Sequence, residues 1–64
     1  MIVNGKMMDI DTPISVSRLF EIIKKNPKLA VVEVDMEIVD KSQYDNYIID
    51  KESRVEIVSF VGGG

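Results

Sequence analysis

The sequence predicts an α+β domain in which a mixed sheet of four to five strands packs on one helix. Three observations carry this expectation. Asn4-Gly5 divides two short apolar runs near the start. Val16, Leu19, Phe20 and Ile23 fall at i, i+3, i+4 and i+7, one stripe of a helix. Residues 54–61, reading RVEIVSFV, form a β-branched run at the other end.

The first element is Met1-Ile2-Val3, followed after Asn4-Gly5 by a run over 6–10. Asn-Gly suits a two-residue turn because both central residues of a type I′ turn need positive φ. Alternation then sets Met1 and Val3 on the core face with Met8 and Ile10, and Ile2 on the other face. Asp11-Thr12-Pro13 breaks the strand. Ser15 is placed to cap a helix over 16–25, with Lys24 and Lys25 in its last turn and Asn26-Pro27 ending it.

Residues 29–34 read as a third strand, with Val32 and Val34 on one face and Glu33 on the other. Asp35-Met36 is a tight connection to a short return strand over 37–39. Residues 40–47 form a polar loop with a helical turn, Ile48-Ile49 a brief strand or core plug, and residues 50–53 a charged turn. Tyr44 and Tyr47 are expected to cover one end of the core with their hydroxyls in water, and Met7, Met8 and Met36 to fill gaps. The first and last strands are expected to run side by side in parallel, as in a β-grasp arrangement.

Composition narrows the function. A chain of 64 residues is one domain at most, and such a domain buries only about 60% of the surface that its unfolded chain exposes. With no cysteine or histidine, it has neither disulfides nor the usual soft-metal ligands and general base. Eleven acidic side chains against eight basic ones leave a net charge of −3, which is not the basic footprint of nucleic-acid binding. No apolar run is long enough to span a membrane, and MIVNGK is not a signal peptide, so a cytoplasmic location is expected. The carboxylates at Asp9, Asp11, Glu33, Asp35, Glu37 and Asp40 do not have calcium-loop spacing and are read as solubilising charge that helps steer the protein to a basic partner.

In the last strand, Val55 and Ile57 are expected under the helix, with Glu56, Val58 and Phe60 on the open face. Val58, Phe60 and Val61, joined by Ile2, make an apolar partner-binding patch that leads into Gly62-Gly63-Gly64. Three of the four glycines in the chain stand at these positions. Without β-carbons they form a thin stalk that can enter a narrow channel and present a carboxylate at its far end. Extended, three residues reach about 10 Å. A carboxylate is a poor electrophile, and ATP can activate it as an acyl-adenylate. The contrary reading of the glycines is a truncation or linker remnant.

The segments MIVNGK, SVSRLFEII, VEVDMEIV and RVEIVSFVGGG, in this order and spacing, resemble the ThiS family, the sulfur carriers of thiamin biosynthesis. The resemblance covers essentially the whole chain and departs at two turns. Asp35-Met36 replaces the usual Asn-Gly, and Lys51-Glu52-Ser53 replaces the usual Asp-Gly-Asp, although Met36 and Glu52 tolerate positive φ poorly. It implies a ubiquitin-like β-grasp domain over 1–61 and a flexible glycine tail over 62–64. It also implies that Gly64 is adenylated and converted to a thiocarboxylate, with Gly62 and Gly63 entering a partner's active site. The implied partners are an adenylating enzyme similar to ubiquitin-activating enzymes, which uses ATP and magnesium, a sulfur donor protein, and thiazole synthase. The chain itself would be a carrier with no cofactor of its own. Three alternatives stay open at this point: a carrier similar to the small subunit of molybdopterin synthase, a ubiquitin-like protein modifier, and a β-grasp binding module with incidental glycines.

Overall fold

The computed structural model describes residues 1–60. Its elements are β1 (Ile2–Val3), β2 (Lys6–Met7), β3 (Ile14–Ser15), α1 (Val16–Ile23), β4 (Ala30–Val34), β5 (Glu37–Ile38), β6 (Ile48–Ile49) and β7 (Arg54–Ser59), with 3₁₀ turns at Pro27–Leu29 and Lys41–Gln43. Among these residues the main sheet has five strands in the order β2-β1-β7-β4-β5, and β3 pairs with β6 in a two-stranded sheet. β7 is central: it runs parallel to β1 and antiparallel to β4. Helix α1 contributes Val16, Leu19 and Phe20 to a core shared with Val3, Val32, Val34, Val55 and Ile57. No helix among the described residues is long and apolar enough to cross a membrane.

Both hairpin turns take positive φ at their two central residues. Asn4 and Gly5 stand at 50° and 80°, and Asp35 and Met36 at 50° and 73°. The first turn follows from Asn-Gly. The second has the same form although Met36 stands where glycine would be at ease, because Val34 opposite Glu37 leaves only two residues to turn on. Two further bonds hold Asp35 in place: its N–H donates to the Arg54 carbonyl at 2.8 Å, and its Oδ1 accepts from the Arg54 N–H at 2.9 Å. The turn before β7 needs no positive φ at Glu52. It is built on the Asp50 carboxylate, which accepts from the Glu52 N–H and the Ser53 hydroxyl, each at 3.1 Å.

The helix begins as predicted, with Ser15 Oγ accepting from the Arg18 N–H at 3.1 Å. It ends two residues early. Lys24 adopts the left-handed conformation at φ 60°, and the Lys25 N–H bonds back to the Phe20 carbonyl at 3.0 Å. Lys24 and Lys25 therefore follow the last turn instead of lying in it, and Asn26 caps the 3₁₀ turn at Pro27–Leu29. The strand predicted over 6–10 stops at Met7. Met8 still donates to the Met1 carbonyl at 2.9 Å, and Met8 and Ile10 pack on the core without strand pairing. The third strand begins at Ala30, not residue 29, because the 3₁₀ turn holds Leu29. The strand predicted over 37–39 ends at Ile38, with Val39 buried behind it and its N–H bonded to the Val32 carbonyl. Ile48-Ile49 is at once a brief strand and a plug, with Ile49 fully buried. Its partner strand at Ile14–Ser15 was not expected.

Two side-chain expectations are corrected. Met7 and Met36 do not fill gaps: they are 77% and 86% exposed, Met7 because it faces away from the helix with Ile2, Met36 because it tops a turn. The Tyr44 hydroxyl is not in water. The ring lies 5.5 Å from Phe20, stacked and buried, and the hydroxyl donates to the Ala30 carbonyl at 3.4 Å. Burial raises the Tyr44 pKa above 10.0; the Val32 backbone opposes the rise and the Asp40 carboxylate adds to it.

Two outcomes are expected. Met36→Gly removes the left-handed strain of an exposed side chain and raises unfolding stability by about 0.5–1 kcal/mol in urea titrations. Because the neutral Tyr44 phenol is favoured in the folded state, its contribution is intact below about pH 10 and is lost as pH rises through the higher folded value. Tyr44→Phe should flatten that alkaline decline when melting temperature is followed against pH.

Candidate functional site at the end of the central strand

Alternation along β7 sorts its side chains as predicted. Val55 and Ile57 lie buried under α1, while Glu56, Val58 and Phe60 are exposed. Val58 and Phe60 keep 62% and 58% of their surface in water. The strand's regular pairing ends at Ser59, but the Phe60 N–H still donates to the Leu29 carbonyl at 2.8 Å. Val61, Gly62, Gly63 and Gly64, which carry the predicted tail and the end of the patch, lie outside the described residues.

Strand pairing divides the open face into rows. Val58 sits opposite Val31, and Glu56 opposite Glu33, which in turn sits opposite Ile38. Ile2 is level with Arg54 and Met7. Ile2 therefore shares the face with Val58 but stands four residues back along β7, about 13 Å at 3.3 Å per residue. The structure joins Val58 and Phe60 to Val31, and places half-buried Ile2 with Met7 at the opposite end. Val31, Ile38 and Met7 were missed as members of this face. The signal for Ile38 was available, since a two-residue turn at Asp35-Met36 fixes Glu33 against Ile38 by counting.

The charges on the face are uneven. Glu33 and Glu56 are directly opposed, and among the described residues neither forms an ion pair. Like charges so placed destabilise a sheet. At the tail end the charge is positive: Lys41 Nζ lies 5.1 Å from the centre of the Phe60 ring and donates to the Lys28 carbonyl at 3.0 Å. Lys41 opens the 3₁₀ turn Lys41–Gln43, which Asp40 caps. The Ser42 hydroxyl and backbone N–H both donate to the Asp40 carboxylate and hold its pKa below the usual 3.8. Among the described residues no three carboxylates converge as a metal site.

A mixed sheet with one helix on one face, an open second face and a central strand running out beside an apolar row defines a ubiquitin-like β-grasp domain. Comparison with known proteins narrows this class. The crystal structure of a thiamine biosynthesis protein (ThiS) from Geobacter metallireducens matches with a TM-score of 0.83 and 27% identity, over 98% of this chain and 96% of that one. A solution structure of a thiamine biosynthesis protein from the same organism gives 0.79 and 27%, over 98% and 85%. A curated thiazole synthase from Paramagnetospirillum magneticum is 30% identical over 64 residues, and the chain spans 20% of that protein's length. The ThiS family pattern matches residues 1–64. The chain belongs to the ThiS family.

Replacing one member of the opposed carboxylate pair tests the row assignment. Glu56→Lys turns a like-charge pair into an opposite-charge pair and should raise stability by about 0.2–1 kcal/mol in chemical denaturation, with the gain shrinking at high salt.

Proposed function

We propose that this chain carries sulfur on the carboxylate of Gly64 for thiazole formation. The observation that supports it best is the course of β7, the central strand, which leads past exposed Val58 and Phe60 directly into the glycine sequence. A partner that grips the open face would receive the residues that follow. Gly62 and Gly63, lacking side chains, suit passage through a narrow channel, and Val61 extends the apolar grip of Val58 and Phe60. Ile2 serves the same face from its far end.

The chemistry needs an adenylating partner that binds ATP and magnesium. The Gly64 carboxylate oxygen attacks the α-phosphorus of ATP, a C–O–P anhydride forms and pyrophosphate leaves. A sulfur nucleophile, supplied by a donor protein at the oxidation level of hydrosulfide, then adds at the acyl carbon. AMP departs with the bonding electron pair and a thiocarboxylate remains. Thiazole synthase would accept that sulfur, and an oxygen from water or from the acceptor's displaced carbonyl would take its place on the acyl carbon, regenerating the carboxylate. The 30% identity to one fifth of a thiazole synthase supports this recipient, since carrier-like sequence and that enzyme occur there in one polypeptide. The folded body contributes binding and presentation, and no side chain of its own takes part in the transfers.

Incubation with the adenylating enzyme, ATP, magnesium and a sulfide source should replace one oxygen by sulfur at Gly64, read by intact mass spectrometry. Deleting Gly64 should abolish the change while leaving the melting temperature within about 4 °C, as expected for a surface change of at most 0.5 kcal/mol. Conjugates to other proteins' lysines, or no mass change with the intact chain, would overturn the reading.

A further inference from the structure

The end of β7 is tied down by more than strand pairing. Two successive carbonyls of the 3₁₀ turn Pro27–Leu29 receive donors from different parts of the chain. The Lys28 carbonyl accepts from Lys41 Nζ at 3.0 Å, and the Leu29 carbonyl accepts from the Phe60 N–H at 2.8 Å. The same ammonium group lies 5.1 Å from the centre of the Phe60 ring. Lys41 thus bridges the 3₁₀ turn to the Phe60 ring, beside the backbone bond that holds Phe60 to Leu29. Its own base is fixed as well. Asp40 caps the turn that carries it, and Tyr44, the residue after that turn, is anchored in the core against Phe20.

From this geometry we infer that Lys41 is a positioning residue for tail presentation: it fixes Phe60, and so sets the direction in which the glycine segment leaves the body. The inference rests on the carrier reading above and adds to it a residue outside the core. An exposed lysine that merely solubilised the surface would not join a carbonyl on one segment to an aromatic face on another. An exposed cation–π contact stabilises by about 0.5–1 kcal/mol and a charged hydrogen bond by somewhat more. Losing both frees the Phe60 ring and loosens its backbone bond to Leu29 without unfolding the sheet, which closes through β4 and β1. Docking on the open face keeps Val58 and Val31, so the larger fault falls on the step after docking, when the carboxylate must meet the α-phosphorus of ATP in line.

The test compares the wild-type chain with Lys41→Met, which keeps the length but loses charge and donor, and Lys41→Arg, which keeps both. Carrier-dependent ATP–pyrophosphate exchange by the adenylating enzyme gives kcat and KM for each. Lys41→Met should lower kcat about fivefold with a smaller change in KM, Lys41→Arg should restore kcat, and the Phe60 amide of the free Met variant should exchange its proton about fivefold faster. If Lys41→Met lowers the melting temperature, Lys41→Gln, which keeps a donor to the Lys28 carbonyl, carries the same comparison. An unchanged kcat, a rise in KM alone, or unchanged Phe60 exchange overturns the role of Lys41 while leaving the carrier reading intact. A wild-type chain that supports no exchange removes both.

Discussion

The structure depends on one strand being held from both sides. β7 is parallel to β1 on one flank and antiparallel to β4 on the other, and Val55 is paired with Val3 and with Val34 at its buried centre. The first residue of each hairpin turn also reaches across to it. Asn4 accepts the Ile57 N–H through its side-chain oxygen at 2.7 Å and donates its own N–H to the Val55 carbonyl at 2.8 Å. Asp35 does the same with both backbone groups of Arg54. Each turn therefore spends a side chain on β7 as well as closing its own hairpin. This explains why both turns keep positive φ even where the second must place a methionine in that conformation. Until β7 is in place, neither hairpin has its second partner and the core face has no centre, so the native sheet forms through contacts distant in sequence.

That arrangement also decides which surface is free to act. Burying Val55 and Ile57 under α1 forces Glu56, Val58 and Phe60 to the other face by the two-residue period of a strand. The helix side supplies the hydrophobic stabilisation, about 1.5–3 kcal/mol for each large side chain such as Phe20 or Leu19. The open face carries two features that stability alone would not select, an exposed apolar row and the opposed carboxylates Glu33 and Glu56. Both fit a surface whose partner lies outside the molecule. Lys41 adds a third such feature, because its bridge from the Lys28 carbonyl to the Phe60 ring steadies the end of β7, not the core.

Much of this was legible in the residues. Asn4-Gly5, the Val16-Leu19-Phe20-Ile23 stripe and the alternation in β4 and β7 each carry a periodicity or a turn preference that survives folding. What was missed lacks any such local signal. β3 is two residues long, too short to show a period, and it exists only because Ile14 meets Ile49 across the core. The early stop of α1 depends on Lys24 turning left-handed, a conformation that lysine does not advertise. The sequence suggested gap-filling for Met7, and only the register that sets it level with Ile2 shows it facing outward. Lys41 was legible as one more charge, and its role emerges only when segments 28–29, 41 and 60 are seen together.

If Gly64 carries the reactive carboxylate, reach divides the open face between its two apolar ends. From Phe60 to Gly64 is four residues, which extended span no more than about 14 Å. A carboxylate at Gly64 can react only with groups inside that radius of a point fixed by the Phe60 N–H bond to Leu29. The row of Ile2 and Met7, level with Arg54, lies about 20 Å back along the strand. A partner resting on that row alone would hold its reactive centre beyond reach, unless it also extended across Glu33 and Glu56 to the Val31, Val58 and Phe60 end. On the carrier reading, the working contact centres on Val58 and Phe60, with Ile2 as an outer edge.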